Sequence, residues 1–113
     1  MIVEERIYTM IPGGVPRYVV LWNQFGREAQ IDCLGEPLGV YMCEIGDLNT
    51  LTYLWPYESV EDRSARRTRL QHDERFATFR TKVRELVVQQ RNRILIPIQD
   101  TGQPSGGARE QRR

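Results

Sequence analysis

The chain has 113 residues and a net charge of +1, with 40% hydrophobic and 27% charged residues. This length fits one domain, and the composition is that of a globular protein. The balanced charge disfavours nucleic-acid binding, and the apolar runs are far shorter than the roughly 20 residues that a membrane span needs. Cys33 and Cys43 lack the spacing of a disulfide framework or a metal site. We therefore expect a cytoplasmic protein with no metal and no cofactor.

The first two predicted elements are a strand and a helix. Residues 2–11 alternate and carry β-branched and aromatic side chains, which favours a strand. Pro12 and two glycines end that strand, and Pro16 suits the first turn of a helix. The helix is predicted to run to about residue 31, because an apolar stripe follows at helical spacing: Tyr18, Leu21, Trp22, Phe25 and Ala29.

Four more elements follow. Residues 38–45 and 49–57 read as strands, and their short connection predicts an antiparallel hairpin. Ser59 is a suitable N-cap for a second helix, which is interrupted at His72 and Asp73. The helix resumes with a second apolar stripe: Phe76, Phe79, Val83, Leu86 and Val87. Residues 91–98 read as a last strand, which ends the domain at residue 98, and residues 99–113 have the composition of a flexible tail.

The order β-α-β-β-α-β predicts an α+β, ferredoxin-like domain whose four-stranded antiparallel sheet carries helices on one face. The other face is left bare, and pairing with a second copy is the simplest way to cover it, so we expect a homodimer. In the first strand, Val3 and Ile7 alternate with Glu4, Arg6 and Tyr8. We expect the more apolar set to lie under the helices and the polar set to face a cavity in the dimer.

Three stretches of the sequence resemble the NIPSNAP family. They are IVEERIYTMIPG at the start, EIGDLNTLTYLWPYESVEDR in the middle and RNRILIP near residue 98. The middle stretch is the most specific, because several short matches occur in order and at fixed spacing: Glu44 to Gly46, Leu48 and Asn49, Leu54 and Trp55, Tyr57, Asp62 and Arg63, and Arg66 and Arg67. The resemblance implies a ferredoxin-like subunit of the dimeric α/β-barrel superfamily.

The resemblance leaves two classes of function open. Relatives in that superfamily include monooxygenases and isomerases that need no cofactor, and haem-handling proteins. A homodimer with a small-molecule pocket over the sheet, with an activity of the first two kinds, is therefore one hypothesis. Eukaryotic members of the family are linked to mitochondria and vesicle traffic, which favours the alternative of a non-catalytic protein-interaction module.

Five residues are candidates for the pocket: Arg6, Tyr8, Tyr41, Tyr53 and Trp55. Arg6 would bind charge and Tyr8 or Tyr53 would donate a proton, which suits a small aromatic or anionic ligand. The alternatives are structural: Arg6 pairs with Glu4 or Glu44, and the aromatic row of the third strand belongs to the core or to the dimer interface. The basic run is interpreted as a solvated, ion-paired helix face: Arg63, Arg66, Arg67 and Arg69.

Overall fold

The computed structural model describes residues 1–99 and shows one four-stranded antiparallel sheet with helices on one face. The strands lie in the spatial order β2-β3-β1-β4: β1 (Ile2–Met10), β2 (Gly39–Met42), β3 (Thr50–Tyr57) and β4 (Val87–Leu95). The helices are α1 (Gly14–Leu21), α2 (Arg27–Leu34), α3 (Val60–Gln71) and α4 (Glu74–Val83). The predicted ferredoxin-like class is confirmed. The predicted tail lies outside the described residues from position 100 onward.

A π-helical turn, Trp22–Gly26, joins α1 to α2 into one continuous helical segment. Its wider winding changes which residues face the sheet, because a π turn holds more residues than an α turn. Gly26 takes the inward position, where an added Cβ would lie 2.8 Å from the Phe79 ring. Phe25, predicted to belong to the buried stripe, is therefore 38% exposed and lies 4.4 Å from the Lys82 ammonium group.

The helices after β3 begin where the capping residues predict. The Ser59 hydroxyl accepts a hydrogen bond from the Asp62 amide at 3.1 Å, and the Asp73 carboxylate accepts one from the Arg75 amide at 2.8 Å. Each cap satisfies a backbone donor that has no helical partner. None of the helices in residues 1–99 is long and apolar enough to cross a bilayer.

The second apolar stripe is only partly helical. The last helix ends at Val83, and Leu86 stays buried in a turn closed by its amide on the Val83 carbonyl at 2.9 Å. Strand β4 begins at Val87, four residues before the predicted start, because it pairs with β1 along nearly its whole length. The strand itself was predicted, but its bounds were not: it also ends at Leu95 and not at residue 98. Cross-strand pairing, and not apolar content, defines its polar first half.

The prediction for the faces of β1 is wrong. Glu4 and Arg6 lie on the helix-covered face, with 0% and 8% exposure. In the register of the sheet they stand opposite Trp55 and Tyr53, which are both buried in the core. The buried charges of Glu4 and Arg6 are stabilised because Arg63 of α3 also forms an ion pair with Glu4. The aromatic row of β3 also lies under the helices, as the core alternative predicts: Tyr53, Trp55 and Tyr57.

Candidate functional site

A cavity of about 240 Å³ lies between the sheet and the helices, on the side of β1 that leads to β4. Its polar lining residues come from six elements: Arg6, Tyr8, Tyr18, Gln30, Arg67, Gln71, Arg80 and Gln90. Its apolar wall is mainly the aromatic side of α4 with the start of β4: Phe76, Phe79, Val83 and Val87. The cavity therefore combines an aromatic wall with several hydrogen-bond donors.

An ion-pair network forms the floor beside the cavity. The Glu4 carboxylate accepts hydrogen bonds from Arg6 Nη1 at 2.9 Å, from Arg63 Nη2 at 2.8 Å and Nε at 3.0 Å, and from Asn92 Nδ2 at 3.0 Å. Burial alone would raise the pKa of Glu4, but the hydrogen bond from Arg63, the charge of Arg6 and the hydrogen bond from Asn92 lower it to about 2. The carboxylate therefore stays charged and shares its one negative charge between two guanidinium groups.

The cavity carries excess positive charge. Two guanidinium groups share the Glu4 carboxylate, and Arg67 and Arg80 add two more at the cavity wall. Within residues 1–99, neither Arg67 nor Arg80 forms an ion pair with a carboxylate. The Arg80 guanidinium lies 5.9 Å from the centre of the Phe76 ring, so it is held at the edge of the aromatic wall. This electrostatic pattern favours an anion.

The phenol groups of three tyrosines lie near the Arg6 guanidinium. Arg6 Nε donates to the Tyr8 hydroxyl at 3.1 Å, and the hydroxyl oxygens of Tyr18 and Tyr53 are 2.8 Å apart. Burial raises the pKa of Tyr18 and of Tyr53. The Tyr8 phenol raises the pKa of Tyr18 further while the hydrogen bond with Tyr53 lowers it, and the Tyr18 phenol raises the pKa of Tyr53 further. Both phenols therefore remain protonated near neutral pH and act as hydrogen-bond donors and not as bases.

The five predicted pocket residues do not all lie at the cavity. Arg6 and Tyr8 line the cavity, whereas Tyr53 lies behind Tyr18 and reaches the cavity only through it. Trp55 stacks on Tyr53, with ring centres 5.6 Å apart, and belongs to the core. Tyr41 is 55% exposed on β2 opposite Thr52, on the face without helices. The predicted grouping is therefore wrong for Tyr41, because residues of β2 and β3 that pair share a face and Tyr41 pairs with the outward set.

Six polar residues of the lining were not predicted as site residues: Tyr18, Gln30, Arg67, Gln71, Arg80 and Gln90. A sequence signal exists for two of them, Arg67 and Gln71. Arg63, Arg67 and Gln71 recur every four residues, so they lie on one side of α3 and face the sheet. The interpretation of the basic run as a solvated face therefore holds only in part: Arg66 pairs with Asp62 at 2.9 Å, while Arg63 and Arg67 point inward.

A metal or cofactor site of the usual kind needs several ligating side chains close together. Within residues 1–99 no group of three or more His, Cys, Asp or Glu side chains is placed to hold a metal ion. His72 is exposed, and its Nδ1 lies 2.9 Å from the Thr68 carbonyl oxygen. The groups at the cavity are phenols, amides and guanidinium groups, which can all donate hydrogen bonds to the oxygen atoms of an organic anion.

Comparisons with known proteins identify the family and the fold. The NIPSNAP family model matches residues 3–101. The chain is 39% identical over 61 residues to a NipSnap homolog of Dictyostelium discoideum, a match that covers 53% of this chain and 26% of that protein. A NIPSNAP family protein of unknown function from Agrobacterium tumefaciens is 36% identical, with a TM-score of 0.83, and the match covers 86% of this chain and 87% of that one.

A more distant likeness extends to another group with the same fold. An antibiotic biosynthesis monooxygenase has a TM-score of 0.60 at 10% identity, over 88% of this chain and 100% of that one. At that identity the likeness concerns the fold alone. The family match spans nearly all of the described residues and includes the three stretches quoted from the sequence. The chain therefore belongs to the NIPSNAP family.

Proposed function

We propose that this NIPSNAP protein is a homodimer whose subunits each hold a small organic anion in the cavity between sheet and helices. One observation carries the proposal: cationic and phenolic donors converge on a cavity of about 240 Å³ that has an aromatic wall. The predicted location over the bare side of the sheet is replaced by one under the helices. The size and the aromatic wall suit a ring that carries an anionic group.

The homodimer is supported by the face of the sheet that no helix in residues 1–99 covers. Its side chains mix apolar and charged groups, including Ile7 and Leu54, which are half-buried, and the Arg93–Glu5 pair at 2.6 Å. A second sheet packed there would remove these apolar side chains from water. We expect native mass spectrometry to give a mass twice the 13.3 kDa of one chain. A protein that stays at the mass of one chain at micromolar concentration contradicts this part of the proposal.

The anion site is tested with benzoate and its neutral isostere benzamide. We expect isothermal titration calorimetry to show that benzoate binds more tightly than benzamide. Arg67→Gln and Arg80→Gln should each weaken benzoate binding about five- to tenfold, because each removes a charged donor to the carboxylate. Arg84→Gln is the matched control, since Arg84 follows α4 and is exposed, outside the cavity lining. Equal affinity for the two probes, or equal losses in all three variants, contradicts the proposal.

A monooxygenase- or isomerase-like reaction without a cofactor is compatible with the cavity only if the substrate needs no deprotonation there. Its lining in residues 1–99 contains no carboxylate, histidine, lysine or cysteine, and the Tyr18 phenol stays protonated because burial raises its pKa. A reaction that starts with removal of a proton from the substrate needs a general base, which these residues do not provide. The substrate of such a reaction therefore has to enter already as an anion.

The alternative is a non-catalytic interaction module. It is favoured by exposed apolar side chains in the hairpin between β2 and β3, where Met42 is 59% exposed, Ile45 is 90% exposed and Leu48 is 60% exposed. Exposed apolar groups close together are typical of protein contact surfaces. A clean dimer that binds neither benzoate nor benzamide favours this alternative over the anion site.

A further inference from the structure

Two hydrogen bonds beside the cavity start from groups that can only donate. Trp22 Nε1 donates to Gln30 Oε1 at 2.6 Å, and Arg6 Nε donates to the Tyr8 hydroxyl at 3.1 Å. An indole N–H and a guanidinium can only donate. The direction of each hydrogen bond that follows is therefore constrained by its neighbour.

The partner of the Tyr53 hydroxyl can be assigned from its burial and its hydrogen bond. Burial and the neighbouring Tyr18 phenol raise the Tyr53 pKa, so Tyr53 keeps its proton near neutral pH. Among residues 1–99 the Tyr53 hydroxyl forms one side-chain hydrogen bond, which joins it to Tyr18. The Tyr53 proton therefore needs an acceptor at that position.

That acceptor is the Tyr18 oxygen, 2.8 Å from the Tyr53 oxygen. Tyr53 is only 1% exposed, so leaving its proton without a partner would cost the full desolvation of a buried donor. Tyr18, in turn, lines the cavity, and its own proton is the one left over. On the other side, Tyr8 also lines the cavity, and because Arg6 donates to its oxygen, its proton is left over too.

Resting on the proposed anion site, we propose that the Tyr53 hydroxyl donates to the Tyr18 oxygen, so that the Tyr18 hydroxyl donates to an anionic oxygen of the ligand. Tyr8 supplies a second hydroxyl donor, and the aromatic wall holds a ring. This narrows the ligand class to aromatic or enolic molecules with an ionised hydroxyl group, such as phenolates. Tyr53 is a positioning residue that acts through Tyr18.

The probe for this proposal is 4-nitrophenol, whose neutral and ionised forms have different absorbance spectra. Titrating the wild-type dimer over a range of pH gives the pKa of the bound probe, which is compared with that of the free probe in the same buffer. A bound pKa lower by about one unit or more corresponds to at least about tenfold tighter binding of the phenolate. We expect this preference in the wild type.

Two variants separate the hydrogen-bond direction from the general positive charge. Tyr18→Phe removes the donor, and we expect the preference for phenolate to fall about tenfold, as is typical for loss of a hydrogen bond to a charged group. Tyr53→Phe keeps the ring but no longer donates to Tyr18, so the Tyr18 hydroxyl loses the hydrogen bond that directs its proton into the cavity. We expect a loss of about three- to tenfold with Tyr18 itself still present.

Tyr41→Phe is the matched control. Tyr41 is 55% exposed on the face of the sheet without helices and lies outside the cavity lining, so the change deletes the same group elsewhere. The bound pKa should be unchanged in this variant. Thermal unfolding of each variant, measured in parallel, shows that the compared proteins are folded.

The outcomes distinguish the two proposals. If the probe binds but both forms bind equally, or if Tyr53→Phe and Tyr18→Phe behave like Tyr41→Phe, the directed hydrogen bond is refuted while the anion site stands on its benzoate result. If neither form of the probe binds and benzoate fails as well, both proposals are overturned.

Discussion

Replacing Glu4 by Gln is expected to lower the free energy of unfolding by about 3–5 kcal/mol, which is the cost of breaking a buried ion pair by removing one partner. The side chain is 0% exposed and accepts hydrogen bonds from two arginines and an asparagine. An amide at this position carries no charge, so Arg6 loses the carboxylate that offsets it in a place with little water. Urea unfolding followed by tryptophan fluorescence measures the change.

The matched control is Glu5→Gln on the same strand. Glu5 pairs with Arg93 at 2.6 Å, but the Arg93 side chain is 69% exposed, so the loss should stay below about 1 kcal/mol. Equal losses in the two variants would mean that the buried network is no more important than a surface pair.

Acid unfolding provides a second readout of the same network. The pKa of Glu4 is lowered from an ordinary value of 4.5 to about 2 in the folded protein, so its contribution is fully present above pH 4.5. That contribution is lost as the pH falls from 4.5 towards 2, where the folded protein takes up the proton. The stability of Glu4→Gln should therefore fall less over this range than that of the wild type.

Replacing Trp55 by Ala is expected to cost about 3–5 kcal/mol of folding free energy, because it leaves a large void in the core. The side chain is 1% exposed and stacks on Tyr53. Phe25→Ala removes another aromatic ring, but Phe25 is 38% exposed and the loss should be about 1 kcal/mol. Chemical denaturation of both variants makes the comparison.

Trp55→Phe tests whether the residue belongs to the site. It keeps a ring in the core and does not touch the cavity lining, so the benzoate affinity should stay within about twofold of the wild type. A loss as large as that of Arg80→Gln would place Trp55 in the binding site after all.

The periodic patterns predicted the elements well because period 2 and period 3.6 leave clear marks in this sequence. The aromatic row of β3 and the caps at Ser59 and Asp73 are examples. Two kinds of feature lie beyond such patterns. The π turn depends on the packing of Gly26 against Phe79, and strand β4 depends on pairing with β1.

The site was predicted less well for a related reason. Arg6 and Tyr8 were found because polar groups in a strand stand out. Their face was assigned wrongly, since composition alone does not show that Arg63, 59 residues away from Glu4 in the chain, neutralises the charge. Tyr18 and Gln30 have no mark in the sequence, because their function comes from a cavity that forms only in the folded protein.

The buried ion network also has a consequence for how this chain can change by mutation. Both faces of β1 mix apolar and polar residues, so hydrophobicity alone distinguishes poorly between the native pairing and one shifted by a residue. Glu4, Arg6 and Arg63 supply that distinction, because a shift would move the carboxylate to the bare side of the sheet and leave Arg63 without it. We expect these three positions to be inherited and exchanged as a set: a change at one of them lowers fitness until the other two change with it.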